Sequence, residues 1–69
     1  MPNQKATELL GRIQKARTKQ QARAVAQDWQ AWQSGEALSF SEYVFWSQQF
    51  FRLGKKHGLL REFRENGIL

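Results

Sequence analysis

Chemistry on this chain would have to be assembled from very few reactive groups: one imidazole (His57), one aspartate (Asp28), one phenol (Tyr43) and no thiol. A metal site would need glutamates gathered around the single imidazole, an unusual donor set. His57 follows Lys55 and Lys56 near the end of a helical stretch, where the dipole favours a cation, so helix-end capping is the role expected of it. Glu62 and Glu65 share a short segment with Arg61 and Arg64 and read as solvated surface rather than as a general acid and base. No Gly-rich phosphate loop, nucleophile elbow or zincin spacing occurs. These residues predict a non-enzymatic protein that uses no cofactor and no metal.

Charge carries more information. Lys and Arg number 11 against 6 Asp and Glu, a formal net charge of +5. Residues 1–34 hold six basic and two acidic side chains, net +4, whereas residues 35–69 hold five and four, net +1. Between Arg12 and Arg23 stand Arg12, Lys15, Arg17, Lys19 and Arg23 with no carboxylate among them. Such a ridge, its field extended by Arg52, Lys55 and Lys56, would neutralise phosphates and release counterions. The result would be salt-sensitive, sequence-indifferent binding to DNA or RNA by a small regulator. The same residues would also make an ordinary solvated Lys/Arg face.

A second surface is expected on the third helical segment. There Phe45 projects opposite the main apolar stripe, among Gln49, Arg52 and Lys56. An exposed ring among cations and amides suits an anchor for an acidic protein partner, with Phe45, Gln49 and Arg52 as the gripping set, and it would also suit stacking on a base. This defines the alternative function, an interaction adaptor or inhibitor. A helix-turn-helix arrangement would place residues 59–66 in a DNA groove with Arg61 and Arg64 as contacts, but Glu62 and Glu65 would repel phosphates there.

The elements that must position these groups are all helical. No apolar run approaches the roughly 20 residues of a membrane span, and the start of the chain lacks the order of a signal peptide, so a cytoplasmic protein without membrane contact is expected. Pro2 and Asn3 supply an opening turn and cap. Ala6, Leu9, Leu10, Ile13 and Ala16 then form one stripe of a helix over 4–17, in which Gly11 is expected where a neighbour packs closely. Ala22, Val25, Ala26, Trp29 and Trp32 form the stripe of a second helix over 19–33. On one straight rod the two stripes would face nearly opposite ways, so a break is expected at Thr18, where Thr18 and Gln21 have capping-box spacing.

Gly35 is expected to end the second helix in the left-handed conformation. Ser39 and Glu42 open a third over 40–56, with Tyr43, Ser47, Phe50 and Gly54 on the centre line of its buried face. Phe40, Val44 and Phe51 flank that line on one side, Trp46 and Leu53 on the other. Ser47 and Gly54 should leave notches for a neighbouring helix. Gly58 stops this helix, a fourth covers 59–65, and Asn66, Gly67 and Ile68 fit a Schellman ending folded back on Phe63. The expected architecture is a single-domain, all-α bundle of about four helices. Because the apolar girth of the third helix exceeds what so short a chain can cover, a homodimer is one way to complete it.

Overall fold

Four helices, α1 (Gln4–Lys15), α2 (Lys19–Gln33), α3 (Phe40–His57) and α4 (Leu60–Glu65), make up the computed structural model, which describes residues 4–69. The turn and cap expected at Pro2 and Asn3 lie outside the described residues. The all-α bundle forms as expected, measures 32 × 22 × 17 Å, and contains no strand among the described residues.

Thr18 makes the break between the first two helices. Its backbone is extended (φ −119°, ψ 157°) and its hydroxyl oxygen accepts the Gln21 N–H at 3.1 Å. The Gln21 side-chain oxygen accepts from the Arg17 N–H at 2.9 Å, one residue earlier than a capping box would place it. The corner turns both stripes onto one core. Leu9, Ile13 and Ala16 are buried from one arm and Ala22, Val25, Ala26 and Trp29 from the other, with Ala6, Leu10 and Trp32 packed at the edge.

α2 stops at Ser34, whose N–H bonds back to Gln30 O and whose hydroxyl donates to Ala31 O. Gly35 is not left-handed as expected, since among the described residues only Gly58 and Gly67 have positive φ. The serine already satisfies the helix end, so no reversal of hand is needed there.

α3 opens with a full capping box, Glu42 N–H to Ser39 Oγ at 3.2 Å and Ser39 N–H to Glu42 Oε1 at 3.1 Å. It closes where Gly58, at φ 70°, lets its own N–H and that of Leu59 converge on Gly54 O. α4 starts one residue later than expected and ends in the anticipated Schellman turn. Gly67 has φ 76°, the Ile68 N–H reaches Phe63 O at 2.8 Å, and the Gly67 N–H reaches Arg64 O at 3.3 Å.

The orientation of α3 departs from expectation. Its buried residues are Trp46, Phe50, Leu53 and Gly54, while Phe40, Tyr43, Val44, Ser47 and Phe51 are exposed. The apolar arc is wide, and the helices that could cover it all lie on one side. α2 brings Trp29 and Trp32 against Trp46, and α4 brings Phe63 against Phe50. Phe50 is fully buried, with ring centroids 5.0 Å from Trp29, 6.3 Å from Trp46 and 6.0 Å from Phe63. Offset and edge-on rings at such distances add about 0.5–1.5 kcal/mol per pair beyond the area they bury. The Trp29 Nε1–H is enclosed by this cluster and finds no acceptor among the described residues, a cost that the packing of the indole must exceed.

The two small-residue positions of α3 meet different fates. Gly54 carries α4: a Cβ there would lie 3.0 Å from Leu60 Cδ2, 3.1 Å from Phe63 Cδ2 and 3.3 Å from the Leu60 backbone nitrogen. Ser47 has no helix over it. Gly11, expected at a close contact, stands in open space, and a Cβ there would meet nothing within 4 Å. Opposite outcomes are therefore expected from one substitution at two sites. Gly11→Ala should stabilise the protein by about 0.5–1 kcal/mol through helix propensity alone. Gly54→Ala should destabilise it by roughly 1–3 kcal/mol, because α4 must move away. Thermal unfolding followed by circular dichroism checks both.

Candidate binding surfaces

The basic ridge divides once the chain is folded. Arg12 Nη1 lies 2.6 Å from Asp28 Oδ2, joining α1 to α2. Arg23 forks onto Glu62, Nε to Oε2 at 2.6 Å and Nη2 to Oε1 at 2.9 Å, and ties α2 to α4. Lys15, Arg17 and Lys19 are exposed and have no ion-pair partner among the described residues. Arg12 and Lys15 come together on a small cup of about 230 Å³ completed by Ala16, Gln21 and Ala24. Lys19 instead belongs to the field around Glu62.

The hydrogen bonds from Arg23 are the main cause holding the Glu62 carboxyl below the ordinary glutamate range. Desolvation opposes them, and the charges of Arg23 and Lys19 add to the lowering. The Arg23 guanidinium is raised by the same pair, first through the hydrogen bond and then through the charge of Glu62. With the Arg23 side chain 41% and the Glu62 side chain 33% exposed, solvent screens much of this attraction.

A wide concavity lies on α3. It is an open groove of about 740 Å³ whose apolar wall is Phe40, Tyr43, Val44, Phe51 and Leu69, with Ser47, Gln48, Arg52 and Arg64 completing the lining. Phe40 is 74% exposed and the other three wall residues of α3 are 42–44% exposed, so this is an apolar surface facing water. The Tyr43 hydroxyl donates to Gln33 Oε1 at 2.8 Å, which fixes one wall of the groove against the end of α2. No Asp or Glu lines it.

The groove takes up only part of the expected partner-binding set. Arg52 lines it; Phe45 and Gln49 do not. Phe45 is 42% exposed, with its ring edge-on to Trp46 at 5.7 Å, and Gln49 is half-buried. Lys55 and Lys56 are exposed on the last turns of α3, on a different element from Arg12 and Lys15. The groove residues Phe40, Tyr43, Val44 and Phe51 belong, by apolar pattern alone, to the expected core face. A signal for a second face exists in the sequence, since residues 40, 44, 47 and 51 form a complete helical row of their own, about a third of a turn from the row 46, 50, 53 and 57 at ~100° per residue.

His57 occupies the last turn of α3, half-buried, with Nε2 enclosed and without a hydrogen-bond partner among the described residues. The backbone N–H groups of Gly58 and Leu59 cap the helix instead. Among the described residues no three of His, Asp and Glu gather as a metal-binding group, and no helix is long and apolar enough to cross a membrane. α4 is a six-residue helix with Phe63 buried, Glu62 held by Arg23 and Arg61 bonded to Glu65 at 3.2 Å, while Arg61, Arg64 and Glu65 remain exposed. No family model matches the chain, and no curated protein or solved structure matches it either.

Because the folded-state pKa of Glu62 is depressed, its contribution to stability is complete above the ordinary glutamate pKa and lost as pH falls through the depressed value. Glu62→Gln should therefore lower the melting temperature at neutral pH. The gap to wild type should close only below the ordinary glutamate range, which melting curves at stepwise lower pH will read.

Proposed function

We propose that this protein is a small, non-enzymatic docking module that grips another protein through the aromatic groove of α3. The observation that carries this reading is the uncovered row Phe40, Val44, Ser47 and Phe51, with Tyr43 beside it. A contiguous apolar patch that faces water with polar residues at its edge is the kind of surface that marks interaction sites. Aromatic and Arg side chains are also the types that dominate binding energy at protein interfaces. The fold supports the role mechanically, because Trp46, Phe50 and Leu53 root the helix in the core and leave the next row free.

The test exploits the exposure of the groove. Phe40→Ser and Phe51→Ser remove surface side chains, so each should shift stability by only about 0.5–1 kcal/mol. Affinity capture from cell extract treated with nuclease should then recover a protein partner with wild type and at least tenfold less with the double variant. Capture that is indifferent to these substitutions would rule the groove out as the docking site.

A second reading rests on Lys15, Arg17 and Lys19, which project from the α1–α2 corner without carboxylates of their own. Three uncommitted cations in five residues suit weak phosphate contact by a nucleic-acid-associated regulator. Arg12 and Arg23 contribute less, because a phosphate would have to displace Asp28 or Glu62. On this reading, Lys15→Glu with Lys19→Glu should abolish retention of a mixed oligonucleotide pool at low salt, and raising the salt should do the same to wild type. Wild type that retains no oligonucleotide at low salt would end it.

A further inference from the structure

The geometry of the groove points to a particular occupant: we infer that it takes an acidic amphipathic helix of about three turns, laid along α3. This rests on the docking reading above and adds the chemistry of the partner. Three observations converge on it.

The first is spacing. Phe40, Val44, Ser47 and Phe51 recur at i, i+4, i+7 and i+11, the seam that one helix offers another in coiled-coil packing. At ~1.5 Å per residue the row runs for roughly 16 Å, which sets the length of the partner helix. Ser47 at the centre of the row is small between large neighbours and has no helix over it, so it leaves a hole for one bulky knob. Its counterpart Gly54 shows what such a site does on this helix, since α4 packs there through Leu60 and Phe63.

The second is charge. Arg52 and Arg64 line the groove and Lys55 follows Phe51 by one turn, whereas no Asp or Glu lines it. All the cations of α3 lie beyond Phe51, and the Phe40 end has none. The complement is a stripe of apolar side chains with carboxylates gathered toward one end. A nucleic-acid backbone would want cations along the whole length, and it would leave Val44 and Leu69 without apolar partners.

The third observation argues against a second copy of this chain. Its carboxylates are largely committed: Asp28 to Arg12, Glu62 to Arg23, Glu65 to Arg61, Glu8 to Lys5, and Glu42 to the cap at Ser39. Glu42 also projects from the side of α3 opposite the row, at ~100° per residue. Two copies joined in parallel across the groove would bring Arg52 and Arg64 of each together, and two antiparallel copies would set Arg52 beside the Phe40 end of the other, where Glu36 is the one carboxylate side chain that no such contact holds. A foreign acidic helix meets no such repulsion.

The test uses two synthetic helical peptides of about four turns with the same leucine stripe, one flanked by Glu and the other by Lys. Titrations into isotope-labelled protein at low salt are read by NMR. The Glu peptide should perturb the signals of residues 40, 44, 47 and 51 and bind at least tenfold more tightly than the Lys peptide. The double variant Arg52→Glu, Arg64→Glu should reverse that preference. Equal binding of the two peptides, no binding of the Glu peptide, or perturbation of the same row by a single-stranded oligonucleotide instead overturns the inference. So does a micromolar dimer, seen by sedimentation equilibrium, that Phe51→Ser abolishes. These outcomes leave protein docking at the groove to be judged by the capture experiment, which fails separately if Phe40→Ser and Phe51→Ser change nothing.

Discussion

Rings from three helices meet at Phe50. Trp29 from α2, Trp46 from the preceding turn of α3 and Phe63 from α4 all lie within about a ring's width of it, and it has no exposed surface. A chain of this length buries only about 60% of its unfolded surface, so a few large side chains must supply most of what holds it together. That requirement orients everything else. Once α3 turns Trp46, Phe50 and Leu53 toward Trp29 and Phe63, the row Phe40, Val44, Ser47 and Phe51 is committed to the outside, because a helix cannot present both rows to one neighbour.

Scarcity of carboxylates shapes the charged surface in a similar way. Six stand against eleven cations, and most of the six are held by partners within the molecule. Arg12 to Asp28 pins the corner between α1 and α2, while the fork from Arg23 to Glu62 holds a six-residue helix that is too short to stand on its own. The excess positive charge is thereby redistributed. It leaves the two ends of the ridge and stays at Lys15, Arg17 and Lys19 on one side, at Arg52 and Arg64 in the lining of the α3 groove, and at Lys55 and Lys56 on the last turns of α3. On the proposed readings, a partner that is both apolar and acidic would answer the groove, and a polyanion would answer the corner. The groove is the stronger claim because apolar area and charge coincide there.

Much of the backbone is legible from local rules. The breaks at Thr18 and Gly58, the capping box at Ser39 and the Schellman turn at Gly67 all follow from groups that satisfy N–H and C=O a few residues away. Where local rules mislead, a distant group intervenes or a nearer one has already satisfied the backbone. Gly35 has the composition of a left-handed stop, but the Ser34 hydroxyl and N–H close the helix before it. Gly11 has the size of a contact point, and no neighbour reaches it, whereas Gly54 does take one. The candidate site is legible only in part, since Arg52 and the surplus of positive charge are visible in the sequence while the aromatic wall is indistinguishable there from core.

Taken alone, the sequence determined four helices with bounds within one or two residues, which stripes of α1 and α2 are buried, and a net charge of +5. Periodicity and capping are interactions of short range, and a reader of the chain can follow them without coordinates. Tertiary structure alone decided which of two equivalent apolar rows on α3 the bundle would cover, and which cations would be neutralised by carboxylates 16 and 39 residues away. Both choices depend on where neighbouring helices can reach, a property of packing in three dimensions that spacing along one helix does not encode.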